Sequence, residues 1–141
     1  MWWFDLNTPD DFAGNWYGEL TNQMGHTLLG LVCMASACIA WREVFGEMPV
    51  RSWAFGAVFL TYAVLVEWML QRWKPGDSWF DSVMFGFGAA VVLPFREIEV
   101  SGDVTAVALD HRYLLGIIAA WAVLLFFRVR RRYLASEVTH Q

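Results

Sequence analysis

Residues 53–70 read WAFGAVFLTYAVLVEWML, and this stretch decides the class of the protein. Glu67 is its only charged residue. The length is close to the roughly 20 residues that an α-helix needs to cross a bilayer. A helix of a soluble bundle carries a polar stripe along one side, whereas this stretch is apolar nearly all round. It therefore predicts a transmembrane helix.

Three further apolar runs accompany it in a chain of 141 residues, of which 57% are hydrophobic and 17% charged. A soluble domain of this size cannot bury so much apolar surface. The sequence predicts an all-α fold, a polytopic membrane protein with about four transmembrane helices in a compact bundle. The predicted transmembrane domain covers about residues 26–127, and the four spans are placed at about 26–42, 53–71, 79–95 and 112–128.

The N-terminal segment, residues 1–25, predicts a short amphipathic helix in the membrane interface. Thr8 is a suitable N-cap, and Phe12, Trp16 and Leu20 recur every four residues. The alternative is a disordered tail with scattered aromatic residues.

Two other segments are polar. Residues 96–112 predict a solvent-facing connection, with a short strand or amphipathic turn at 104–109. Residues 129–141 predict a basic, then polar, C-terminal tail.

With both termini in the cytoplasm, the inner loops carry six Lys and Arg residues against four outside, which is the bias expected of cytoplasmic loops. The net charge of −4 argues against a nucleic-acid partner.

Polar residues fall at one predicted membrane edge. His26 opens the first span, Glu67 and Gln71 lie one turn apart near the end of the second, and Asp77 and Asp81 lead into the third. Because successive helices run antiparallel, these three positions lie at the same face of the bilayer. A carboxylate surrounded by apolar residues, as Glu67 is, is costly unless protonated or paired, so we expect a binding pocket here.

Each of these residues also has a plain structural explanation. Asp81 would stabilise the first turn of a helix, His26 would be an ordinary interfacial residue, and Glu67 would snorkel to the headgroups. The sequence has no metal-ligand spacing such as H-E-x-x-H, no phosphate-binding glycine loop and no nucleophile elbow. We therefore expect no metal, no cofactor and, on balance, no enzymatic activity.

The run from Glu67 to Gly88 resembles the VanZ-like family of small bacterial membrane proteins. Glu67-x-x-x-Gln71, Pro75-Gly76, Asp81 and Gly88 look like that family's E-x-x-x-Q, P-G-R and D-x-x-x-N-x-x-G patterns. His26 resembles its early membrane-edge histidine. The similarity covers roughly residues 26–95. It departs where Asp77 and Phe85 stand in place of the family's Arg and Asn.

The resemblance implies a polar pocket at the edge of the inner (cytoplasmic) membrane of a bacterium, in a family linked to glycopeptide-antibiotic resistance and envelope functions. Its ligand would be an envelope lipid, a cell-wall precursor or an antibiotic. Two alternatives stay open. A phage-type holin would fit the small size and basic tail, and an accessory subunit would dock on a larger membrane complex. The expected partners are the lipid bilayer and either further copies of the chain or that complex.

Overall fold

The computed structural model describes residues 15–72, 77–100 and 104–139, and the side chains within them except those of 96–107 and 135–139. The element order is α1 (Trp16–Phe45), α2 (Arg51–Tyr62), a π-helical segment (Ala63–Leu70), α3 (Asp77–Ala90), β1 (Phe95–Val100), β2 (Val104–Leu109) and α4 (His111–Thr139). The start of the predicted interfacial helix, at Thr8, lies outside the described residues. Its later residues from Trp16 onward belong to α1.

Local signals mark the ends of the long helices. The Asn15 side chain accepts a hydrogen bond from the Gly18 N–H at 2.9 Å and caps the start of α1. Gly46 ends this helix in the left-handed conformation at φ 77°, and its N–H donates to the Arg42 carbonyl. The Asp110 side chain accepts from the Tyr113 N–H at 3.2 Å and caps α4 in the same way.

Three helical stretches are long and apolar enough to cross a membrane: Trp16–Phe45, Arg51–Leu70 and His111–Leu134. Only 17%, 11% and 6% of the residues in their most apolar windows are buried inside the protein. Exposed side chains such as Trp53, Leu60 and Phe126 cover the outside. An apolar surface of this extent is typical of a membrane protein.

Helix α3 differs from the other three. Its 14 residues rise about 21 Å, short of the roughly 30 Å hydrocarbon core, because the chain turns away after Ala90. It is also the most buried helix, and it packs mainly against α1. The sequence predicts a span at 79–95, whereas the structure places a short central helix there.

Two glycines allow α1 and α3 to cross backbone to backbone. A Cβ atom on Gly30 would lie 1.9 Å from the Phe85 carbonyl oxygen, and one on Gly88 would lie 1.7 Å from that of Thr27. Any side chain at either position would force the helices apart. Close approach at small residues is the usual way in which membrane helices associate.

The connection between α3 and α4 contains a β-hairpin. β1 and β2 pair antiparallel, with Phe95 opposite Leu109 and Val100 opposite Val104. The fold is therefore mostly helical rather than purely α-helical. β2 occupies the residues for which a strand or turn is predicted. Residues 97–100 of β1 alternate between polar and apolar, a period typical of strands, but they fall in the connection predicted at 96–112.

Candidate functional site: a buried polar cluster

Polar side chains from all four helices meet at one end of the bundle. Glu19, Gln23, Glu67 and Asp81 are each at most 7% exposed. We define the polar cluster as the residues that are linked there by hydrogen bonds and ion pairs. They are Glu19, Gln23, His26, Tyr62, Glu67, Asp77, Asp81, Arg128 and Arg132.

Tyr62 connects Glu67 to His26. Its hydroxyl donates to Glu67 Oε1 at 2.5 Å, and its oxygen lies 2.7 Å from His26 Nδ1. The Tyr62 ring stacks on Phe85 with centroids 4.0 Å apart and planes at 11°. Because this stacking fixes the ring, the hydroxyl is held between the carboxylate and the imidazole.

The π-helical segment explains why Tyr62 and Glu67 meet. These residues are five apart, and a π-helix forms its backbone hydrogen bonds between residues five apart. The segment covers Ala63–Leu70, and its last hydrogen bond runs from the Gln71 N–H to the Val66 carbonyl at 2.9 Å. Such segments occur mostly as single turns, frequently at functional sites.

His26 reaches a second carboxylate on α3. Its Nε2 lies 3.5 Å from Asp81 Oδ2, within ion-pair range when the imidazole is protonated. The Gln23 amide donates to the other oxygen of Asp81 at 2.7 Å and to Glu19 Oε1 at 3.1 Å. Gln23 therefore joins the His26–Asp81 pair to Glu19.

Two arginines of α4 complete the cluster. Arg128 Nε donates to Glu19 Oε1 at 2.7 Å, and Arg132 Nε lies 3.3 Å from Glu19 Oε2. Both guanidinium groups also donate to Asp77 Oδ1 at the start of α3. A carboxylate with two cations on its two oxygens is a well-compensated buried charge, so Glu19 anchors α4 to α1. Asp77 anchors α4 to α3.

The charges of the cluster do not balance. Four carboxylates, Glu19, Glu67, Asp77 and Asp81, face two guanidinium groups and one histidine. Within the part of the chain that the structure describes, three buried polar atoms also lack a hydrogen-bond partner: Gln23 Oε1, Glu67 Oε2 and Ser82 Oγ. Gln23 Oε1 can only accept hydrogen bonds, and the same is true of Glu67 Oε2 when Glu67 is ionised. The cluster therefore lacks donors.

Two grooves adjoin the cluster. One, of about 530 Å³, runs along α1 and is lined by Tyr17, Thr21, Asn22 and His26. The other, of about 500 Å³, lies between α1 and α4. Its lining is largely apolar and aromatic, with one cation, and includes Trp16, Leu20, Trp121, Phe126, Arg130 and Tyr133. Both grooves border the first turns of α1.

The structure brings four of the five residues singled out from the sequence into the cluster: His26, Glu67, Asp77 and Asp81. Gln71 does not join it. Its half-buried side chain makes no hydrogen bond to Glu67, because it follows the π-helical segment and the Glu67 carboxylate bonds to Tyr62 instead. The described residues contain no group of three or more His, Cys, Asp or Glu side chains placed to hold a metal ion.

No protein-family model matches this chain, and no curated protein or solved structure is significantly similar to it.

Proposed function

We propose that this chain is a VanZ-like protein of the bacterial inner membrane that binds the headgroup of an envelope lipid, a cell-wall precursor or an antibiotic at the polar cluster. It would bind its ligand without catalysing a reaction. The observation that carries the proposal is the surplus of buried acceptors, above all Glu67 Oε2.

The chemistry of the missing partner follows from that surplus. A buried acceptor without a donor costs about 1–3 kcal/mol, and more when it is charged, so a ligand that donates hydrogen bonds gains strength there. The excess of carboxylates favours a positively charged donor. A primary ammonium group, as on an ethanolamine headgroup or an amino sugar, satisfies both requirements.

The groove between α1 and α4 supports a lipid as the ligand. Its apolar lining suits an acyl chain, and Arg130 lies at its border where it would meet a phosphate. Leu20 and Val129, which line the groove, are next in sequence to Glu19 and Arg128 of the cluster. One molecule with an acyl chain, a phosphate and an ammonium group would match all three features.

In the membrane, α3 would act as a further span beside the three long helical stretches. We propose that its short length is accommodated by local thinning of the bilayer, by the β-hairpin at its far end and by the three longer helices around it. Both termini would lie in the cytoplasm, which places the polar cluster at the cytoplasmic edge.

The test compares lipids that differ only in donor groups. The purified protein is placed in nanodiscs that contain phosphatidylethanolamine or phosphatidylcholine, and retained lipid is counted by native mass spectrometry. We expect selective retention of phosphatidylethanolamine, because the choline headgroup has the same charge but no N–H. Glu67→Gln should lose the selectivity, and Glu43→Gln, exposed at the other end of α1, should keep it.

Equal retention of both lipids by the wild type would reject the lipid form of the proposal. Induced expression in a bacterium then addresses the alternatives. Rapid loss of membrane potential and lysis would indicate a holin-like pore former, and stable co-purification with other membrane proteins would indicate an accessory subunit.

A further inference from the structure

One row of side chains in the polar cluster is connected in a way that the proposed ligand binding does not use. The row is Glu67, Tyr62, His26 and Asp81. Its side chains are joined in series, with the tyrosine hydroxyl between the carboxylate and the imidazole. From this geometry we infer that the chain contains a proton relay, in which His26 and Glu67 exchange a proton through the Tyr62 hydroxyl. The inference needs no ligand and is independent of the headgroup proposal.

Two protonation states fit the same heavy-atom positions. In the ion-paired state His26 is doubly protonated and Glu67 is ionised. The Nδ1–H then donates to the Tyr62 oxygen, and the Tyr62 O–H donates to Glu67 Oε1. In the neutral state the direction reverses, so the Glu67 acid donates to the Tyr62 oxygen and the Tyr62 O–H donates to Nδ1. Hydrogen positions alone distinguish the two states.

The exchange is balanced in atoms and charge. The His26 Nδ1–H bond breaks as that proton bonds to the Tyr62 oxygen. The original Tyr62 O–H bond breaks as its proton bonds to Glu67 Oε1. The nitrogen keeps its electron pair, and one positive and one negative charge disappear together. His26 Nε2 keeps its proton toward Asp81 in both states, which fixes the imidazole in the relay.

The surroundings stabilise each state by a different effect. The ion-paired state gains the Coulomb attraction between His26 and the carboxylates, and the neutral state avoids the desolvation of a charged Glu67 that is fully buried. The other charged groups of the cluster reach His26 indirectly, since Arg128 and Arg132 of α4 bind Glu19 and Asp77. In the described structure, His26 contacts Asp81 of α3 directly and reaches Glu67 of the π-helical segment through Tyr62. Gln23 links Asp81 to Glu19 of α1.

The test follows the His26 proton by ¹⁵N NMR in nanodiscs of phosphatidylcholine, a lipid without an N–H donor. We expect the His26 ring nitrogens to show exchange between two protonation states in the wild type. Tyr62→Phe keeps the ring stacked on Phe85 but removes the hydroxyl. It should slow the exchange by at least about a hundredfold, which is the usual contribution of a positioned proton-transfer group.

Three comparisons keep the result interpretable. Glu67→Gln is nearly isosteric and should slow the exchange equally, even if Tyr62→Phe fails to fold. It should also remove a carboxylic-acid infrared band that the neutral state predicts in the wild type. His111, exposed at the start of α4, is an internal reference whose signal should not change. Tyr113→Phe removes an exposed hydroxyl near the start of α4 and should have no effect.

Unchanged His26 exchange in both Tyr62→Phe and Glu67→Gln would overturn the relay. The relay would also be overturned if Glu67→Gln slowed the exchange but a folded Tyr62→Phe protein did not. The proton would then pass without the tyrosine. Since no ligand is present, either outcome leaves the selective retention of phosphatidylethanolamine as a separate question.

Discussion

At one end of the bundle four helices meet through carboxylates, guanidinium groups and His26, and at the other end α1 and α3 meet through Met34, Cys38 and Ala89. We refer to these as the polar end and the apolar end. Met48, Phe55 and Leu93 pack around the apolar end without any ion pair among them. The glycine crossing of Gly30 and Gly88 lies between the two ends.

The difference shows what specifies a small bundle in lipid. An apolar side chain gains little by leaving lipid for the protein interior, so the apolar end is specified by shape and packing alone. A polar side chain has no partner in the hydrocarbon core, so the polar end is specified by the need to satisfy its hydrogen bonds. The following substitutions separate these contributions, in order of decreasing expected effect.

Gly88→Ala disrupts the close crossing of α1 and α3, on which both ends depend. The added Cβ would lie 1.7 Å from a backbone oxygen, so α1 and α3 must separate. The hydrogen bond from Gln23 to Asp81 and the ion pair between His26 and Asp81 would then lengthen. We expect a loss of more than about 3 kcal/mol, above the typical cost of overpacking, measured as the unfolding free energy in detergent.

Gly116→Ala is the matched control for that experiment. None of the described atoms lies within 4 Å of a Cβ at Gly116, so the substitution should gain up to about 1 kcal/mol from helix propensity. Equal stability of the two alanine variants would contradict the backbone crossing.

Arg128→Met tests the polar end. Methionine retains an apolar stem of similar length but leaves Glu19, which is 2% exposed, with Arg132 as its remaining cation. We expect a loss of about 3 kcal/mol, the low end of the range for breaking a buried ion pair, because Arg132 compensates in part.

A double variant sharpens the result for Arg128. Glu19→Gln combined with Arg128→Met removes the uncompensated charge and should recover part of the lost stability. Arg130→Met, on the exposed side of the same helix, should change the unfolding free energy by less than about 0.5 kcal/mol. A full loss in the double variant would show that Glu19 is not the charge that Arg128 neutralises.

Met34→Ala tests the apolar end by creating a cavity at a fully buried position. We expect a loss of about 2 kcal/mol, the low end of the range for such truncations, because only packing and no transfer from water is forfeited. Met69→Ala, at a side chain that is 61% exposed, should be nearly neutral. A larger loss at Met34 than at Arg128 would reverse the comparison between the two ends.

The sequence predicted much of this arrangement from one argument. The antiparallel order of the apolar runs brings His26, Glu67 and Asp81 to one end, and the structure places them together there. The long helices also follow from hydrophobic length, which is a local property. The length of α3 does not follow from hydrophobic length. The chain turns after Ala90 into β1, and the pairing of β1 with β2 depends on a partner strand.

The rest of the site depended on facts that spacing does not reveal. Tyr62 was missed because an α-helical pattern directs Glu67 toward Gln71, and the π-helical segment changes that register. Glu19 and Gln23 were assigned to the interfacial segment, whereas α1 carries them into the bundle. Arg128 was counted only among the Lys and Arg residues of the cytoplasmic side. A buried role for it follows only from the excess of carboxylates at the same end, a signal that was present in the sequence.

The smallest expected effect concerns a single neutral hydrogen bond near the boundary between the two ends. Trp121 Nε1 of α4 donates to Thr27 Oγ1 of α1 at 3.0 Å. Trp121→Phe removes this donor and keeps an aromatic ring, so we expect a loss of about 0.6–1 kcal/mol, typical of hydrogen bonds between membrane helices. Trp53→Phe, at a side chain that is 79% exposed, should lose less than half of that. If Trp121→Phe lowers the unfolding free energy as much as Arg128→Met, neutral hydrogen bonds hold α4 in place as firmly as its ion pairs. The charged residues of the polar end would then be retained for binding or proton exchange rather than for assembly.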